Sequence, residues 1–116
     1  MKFRTEIQVE KSALQISHSD NILTIGSCFA ENIAEKLIDH KILTLSNPFG
    51  VLYNPVSIFN SLKHIYKGTF FTEEDLIFDQ GEWHSLYHHS DFSHHETQFV
   101  LDGINQTIAE TKKFIE

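Results

Sequence analysis

The sequence predicts an α/β fold, and three observations carry that prediction. Asn21 to Ile25 is a short, mostly apolar run of β-favouring residues that ends at a turn, Gly26-Ser27. From Cys28 the apolar period becomes helical. Phe29, Ile33 and Leu37, with Ala30, Ala34 and Ile38, fall on one face, while Glu31, Glu35 and Lys36 fall elsewhere. Ile42 to Leu45 then reads as a second strand. Strand, tight turn, helix and strand form a βαβ unit, whose strands are parallel and whose crossover is normally right-handed.

The flanking segments follow in order. Phe3 to Val9 alternates apolar and polar residues, which predicts a half-buried or edge strand. Asn47-Pro48-Phe49-Gly50 reads as a loop. Asn54-Pro55 opens a helix, with Asn as the cap and Pro at the first helical position. Val56, Phe59, Leu62 and Ile65-Tyr66 continue it at helical spacing, and Gly68 stops it. Thr72-Glu73-Glu74-Asp75 predicts a capped helical turn. Leu76–Asp79 and Trp83–Tyr87 flank Gln80-Gly81-Glu82 as a hairpin. Thr97 to Phe114 fits a last helix with Phe99, Val100, Ile104 and Ile108 as its apolar stripe, weakened slightly by Gly103. The aromatic residues Phe59, Tyr66, Phe70, Phe71 and Phe78 are spaced for core packing.

Composition limits the function classes. A chain of 116 residues, 41% hydrophobic and 22% charged, fits one globular domain over residues 1–116. Nine Lys and Arg against sixteen Asp and Glu give a net charge of −7, with no basic run, so nucleic acid is excluded as a partner. No apolar run is long enough to span a bilayer, and the N-terminus has no stretch of secretory length, so no membrane partner is expected. A single cysteine rules out an internal disulfide and fits a reducing, cytoplasmic compartment. The five glycines lie far apart, so there is no phosphate loop, and no cofactor is expected.

The segment richest in chemistry is Gly26-Ser27-Cys28. A strand that ends in a sharp turn and a helix aims unpaired helix N–H groups at the turn side chains. The helix dipole there favours a thiolate, and the same N–H groups can hold an oxyanion. The simpler local reading makes Ser27 a helix cap and Cys28 a small buried hydrophobe. Five histidines crowd together at His84, His88, His89, His94 and His95. No metal-ligand spacing emerges among them, and a polar hairpin and loop is the plainer reading.

Gly26-Ser27-Cys28-Phe29-Ala30 also spells the motif that names the GSCFA family, a bacterial group. Asn47-Pro48-Phe49-Gly50-Val51-Leu52-Tyr53-Asn54-Pro55 resembles that family's second hallmark. Trp83-His84-Ser85 and His89-Ser90-Asp91-Phe92-Ser93 resemble its third. The resemblance implies the N-terminal portion of a three-layer α/β/α fold similar to the SGNH, or GDSL-type, hydrolases. In those enzymes a nucleophile follows the first strand, later loops donate oxyanion hydrogen bonds, and a C-terminal Asp-x-x-His completes the triad. Set on that pattern, Cys28 takes the place of the nucleophilic serine, and a one-residue shift gives the role to Ser27. Gly50 corresponds to the oxyanion glycine, while Asn47, His89 and Ser90 fall among groups that hold the oxyanion or position substrate.

The implied function is acyl-ester hydrolysis or acyl transfer, on a small-molecule or saccharide acyl ester. Asp91-Phe92-Ser93-His94 formally reads Asp-x-x-His but lies inside the third hallmark, away from the C-terminal block. The base is therefore expected from beyond Glu116, and the chain is expected to be truncated and inactive alone. The alternative is a non-catalytic binding or structural module. Either way, a truncated sheet exposes an edge, and a homo-oligomer through that edge is expected.

Overall fold

The structure, a computed structural model, describes Met1 and residues 3–116. Two parallel strands, β1 (Asn21–Thr24) and β2 (Leu43–Ser46), are joined by helix α1 (Cys28–Asp39). Asn21 pairs with Leu43 and Thr24 with Ser46, so both strands end at the same edge. Helix α2 (Pro55–Lys67) follows, then a 3₁₀ turn at Glu73–Asp75. An antiparallel hairpin, β3 (Ile77–Asp79) with β4 (Glu82–His84), comes next. A second 3₁₀ turn, Ser90–Phe92, leads into helix α3 (Thr97–Ile115). The α/β class and the parallel βαβ start are present, and so is the hairpin, although its second strand stops at His84, short of the predicted Tyr87, where the chain turns toward α2.

Local chemistry accounts for the element ends. Asn54 Oδ1 accepts from the Val56 N–H at 2.9 Å, and Pro55 occupies the first turn, where its missing N–H costs nothing. Gly68 ends α2 in the left-handed conformation, with φ of 65°. Asp75 Oδ2 accepts from the Thr72 N–H at 2.8 Å, closing the predicted cap. The hairpin turns on Gln80 and Gly81, both left-handed, which suits the twist of a two-residue connection.

The core lies between α2, α3 and the loops that follow β2 and β4. Phe49, Leu52, Ile65, Phe71, Leu76, Val100, Leu101, Ile104 and Ile108 form one buried cluster, with Leu23 and Ile25 of the first strand run packed against it. Asn105 ties α3 to the loop before the hairpin, since its Oδ1 accepts from the Phe71 N–H at 2.7 Å and its Nδ2 donates to the Phe71 carbonyl at 3.0 Å.

Three expectations fail. Residues 3–9 adopt no strand, because no neighbouring strand takes up their backbone groups, and they are exposed. On α1 only Ala34 is buried, and Phe29, Ile33 and Ile38 stay exposed because two strands cover only part of that face. Of the five aromatic residues read as core, only Phe71 is buried. Phe59 and Tyr66 are 65% and 81% exposed because α2 turns Ser57, Ser61 and Ile65 inward. The two hydroxyls donate to the Leu86 and Tyr87 carbonyls, each at 3.3 Å, so small polar side chains let that loop approach the helix.

Candidate functional site

Because β1 and β2 are parallel, the loops that leave them emerge side by side, the usual ligand-binding end of such sheets. Asn47 joins the two loops. Its N–H donates to the Thr24 carbonyl at 2.8 Å, and its Oδ1 accepts from the Gly26 N–H at 2.8 Å. The Leu52 N–H returns the link by donating to the Gly26 carbonyl at 2.9 Å. Asn47 is buried and left-handed, with φ of 41°, a conformation Asn tolerates better than most residues. Its Nδ2, with Thr24 Oγ1 and Ser46 Oγ, is sealed from solvent and has no hydrogen-bond partner among the described residues.

At the first turn of α1 the cap reading of Ser27 holds. Ser27 Oγ accepts from the Phe29 N–H at 3.3 Å. The reading of Cys28 as a buried hydrophobe does not hold, because the thiol is exposed. The first turn stands beyond the strands, which leaves Cys28 and Phe29 uncovered. The Cys28 N–H donates to no group among the described residues, as expected of a first-turn amide.

Gly50 and His89 meet directly. A Cβ on Gly50 would lie 2.4 Å from His89 Cβ, nearer than atoms pack, and Gly50 is left-handed at φ of 80°. The Gly50 N–H donates to the Asn47 carbonyl at 2.8 Å, so it is already engaged in this conformation. The His89 N–H donates to the Phe49 carbonyl at 3.0 Å, fastening the histidine loop to the loop after β2. Ser27, Cys28, Asn47, Gly50 and His89 thus lie along one connected path. Ser90 is exposed, starts a 3₁₀ turn and adds no side-chain hydrogen bond to that path.

Asp91 and His94 do not form a dyad. Asp91 Oδ2 lies 3.1 Å from His89 Nδ1, while His94 Nδ1 accepts from the Glu96 N–H at 3.1 Å and its ring stacks on Phe99. His84 Nδ1 is 2.6 Å from Ser93 Oγ, and its Nε2 is 3.1 Å from the Asp79 carbonyl. Among the described residues no group of three His, Cys, Asp or Glu is placed to hold a metal ion. No helix among them is long and apolar enough to cross a membrane.

Sequence reasoning missed His88 as a buried group. Its Nδ1 is 2.6 Å from Ser85 Oγ, and its ring stands edge-on to Phe49 and Phe71 at 4.5 and 4.9 Å. Burial among these rings, with a smaller contribution from the charge of His64, lowers the imidazole from 6.5 to about 4, so it is neutral at pH 7. Ser85-x-x-His88 was visible as a spacing, but nothing local marks it as buried.

The arrangement defines an α/β protein whose candidate site stands where two parallel strands give way to their loops. The GSCFA family profile matches residues 21–116, and the chain belongs to the GSCFA family. The match begins where β1 begins and takes in every candidate residue. Comparison with curated proteins gives no match, and neither does comparison with solved structures.

Proposed function

We propose that this chain carries the nucleophile of an SGNH-like acyl-ester hydrolase or acyltransferase, acting on a small-molecule or saccharide acyl ester. The observation that carries the reading is the exposed Cys28 thiol at the first turn of α1, beside a free Cys28 N–H and the Asn47 bridge. Cys28 Sγ attacks the ester carbonyl. The Cys28 N–H stabilises the oxyanion, aided by the positive end of the helix. Asn47 acts on the turn by holding Gly26 in place. The saccharide comes from the likeness to SGNH hydrolases, which often act on acylated sugars.

The test uses p-nitrophenyl acetate as the acyl donor and intact mass as the readout. The expected result is one acetyl group on the protein, absent in Cys28→Ala. An adduct lost only in Ser27→Ala moves the nucleophile by one residue. No specific adduct at all favours a non-catalytic module of the same fold. Two features support that second reading: Ser27 Oγ already serves as a cap, and the Gly50 N–H already has an acceptor.

A further inference from the structure

We propose that residues 85–89 form an acid-released flap, in which a proton on His88 drives its ring out of the core and frees the loop from α2 and Gly50. The flap is independent of any chemistry at Cys28.

The loop is built to open as a unit. Residues 85–89 belong to no helix or strand. Its base is closed by a two-way bridge. The Trp83 N–H donates to the His94 carbonyl at 2.7 Å, and the His94 N–H donates to the Trp83 carbonyl at 3.2 Å. His84 Nδ1, 2.6 Å from Ser93 Oγ, adds a side-chain tie across the same base. Above that hinge the attachments are slight. The Ser57 and Ser61 hydroxyls reach the Leu86 and Tyr87 carbonyls at 3.3 Å, longer than a good O–H···O bond. The His89 N–H reaches the Phe49 carbonyl at 3.0 Å, and Leu86 at the tip is 66% exposed.

The His88 ring seats the flap. It is buried against Phe49 and Phe71, with Phe92 at 5.8 Å. Ser85 Oγ meets Nδ1, while Nε2 is sealed from solvent with no partner among the described residues. An imidazolium carries a proton on both nitrogens, and Nε2 has nothing here to receive one. The surroundings offer no counter-charge either. The loop after β2 brings Phe49, the segment before the hairpin brings Phe71, and α3 adds Val100 and Ile104 to the same cluster. From α2 comes His64, 4.3 Å from the Phe71 ring, whose charge repels a second one. Asp91, the acid of the same loop, faces His89 instead.

The sign follows from the two states. Seated, the imidazole binds a proton only near 4, and released, at its ordinary 6.5. The seated form is therefore favoured fully above pH 6.5 and loses ground as the pH falls toward 4. The ratio of released to seated loop rises about twentyfold between pH 7 and 5. Release lifts His89 off the Gly50 backbone and uncovers Phe49 at the end of the sheet where the candidate site stands.

The test is amide hydrogen exchange by NMR on the full chain at pH 7 and 5, with each rate corrected for its intrinsic pH dependence. The His89 amide reports the flap, Trp83 the hinge and Ile104 of α3 the whole fold. Protection at His89 is expected to fall about twentyfold from pH 7 to 5 and to lie below that of Trp83 and Ile104 at both. In His88→Gln, whose side chain gains no proton, the fall is expected to vanish. An unchanged His89 protection in wild type overturns the proposal, as does the same fall in His88→Gln. Equal protection at His89 and Ile104 also overturns it, because the loop then opens only with the whole molecule. Should His88→Gln fail to fold, Ser57→Ala, which removes one tie to the flap, replaces it. Faster exchange at His89 with Ile104 unchanged supports the flap, and equal changes at both, or none at His89, overturn it.

Discussion

At the scale of single residues, His88 makes the protein sensitive to acid. In the unfolded chain its imidazole binds a proton near 6.5, and in the fold only near 4. Its neutral, buried form therefore favours folding fully above pH 6.5. That contribution is lost as the pH falls through 4, because the unfolded state takes up the proton first. The loss amounts to about 3 kcal/mol. Thermal melts between pH 7 and 4 are expected to show a falling midpoint whose slope is reduced in His88→Gln. Gly50 is constrained in a different way. Gly50→Ala would place a methyl against His89 Cβ and Cγ and impose a left-handed backbone on alanine. Together these are expected to destabilise by about 2–4 kcal/mol in denaturant unfolding.

At the scale of elements, α2 separates burial from hydrophobicity. Ile65 is buried and Phe59 is exposed, although both are large and apolar. Ile65→Ala is expected to cost about 2–5 kcal/mol, and Phe59→Ser less than about 0.5 kcal/mol, in the same unfolding experiment. In α3, Gly103→Ala adds a Cβ at 3.6 Å from the Phe92 ring, an ordinary contact. It is expected to stabilise by about 0.5–1 kcal/mol through helix propensity alone. These elements also mark where the sequence is readable. The Asn54 cap and the Gly68 stop depend on neighbours a few residues away and are found as predicted, while the α3 stripe holds at Val100, Ile104 and Ile108 but not at Phe99, which is exposed. The inward face of α2 depends on the Leu86 and Tyr87 carbonyls, which no local period reveals. In the candidate site, the strand–turn–helix geometry was legible for the same local reason. The Gly50–His89 contact was not, because it joins two loops far apart in sequence, and the Asp91–His89 pairing, though only two residues apart, is set by a loop turn that no apolar period marks.

At the scale of the whole molecule, the radius of gyration is 17.5 Å, against about 13 Å for a compact chain of this length. The difference reflects residues 3–20, which run outside the core and outside the family match. The alternation in Phe3–Val9 was real but had no strand to pair with, so pattern alone did not make structure there. Among the described residues the parallel sheet has two strands, and each keeps one edge without a strand partner. Such edges, with the exposed apolar side chains of α1 and α2, favour association with a second copy. Light scattering across a concentration series is expected to give a mass that rises above that of the monomer. A constant monomer mass would remove the homo-oligomer from the description.

The Asn47 side chain has a mechanical consequence. One residue spans the two loops that leave the parallel strands, taking the Gly26 N–H with its side-chain oxygen while its own backbone holds the end of β1. The two loops are thereby tied together at the Gly26 turn. The site is joined through the buried Asn47 and open where the Cys28 thiol faces outward.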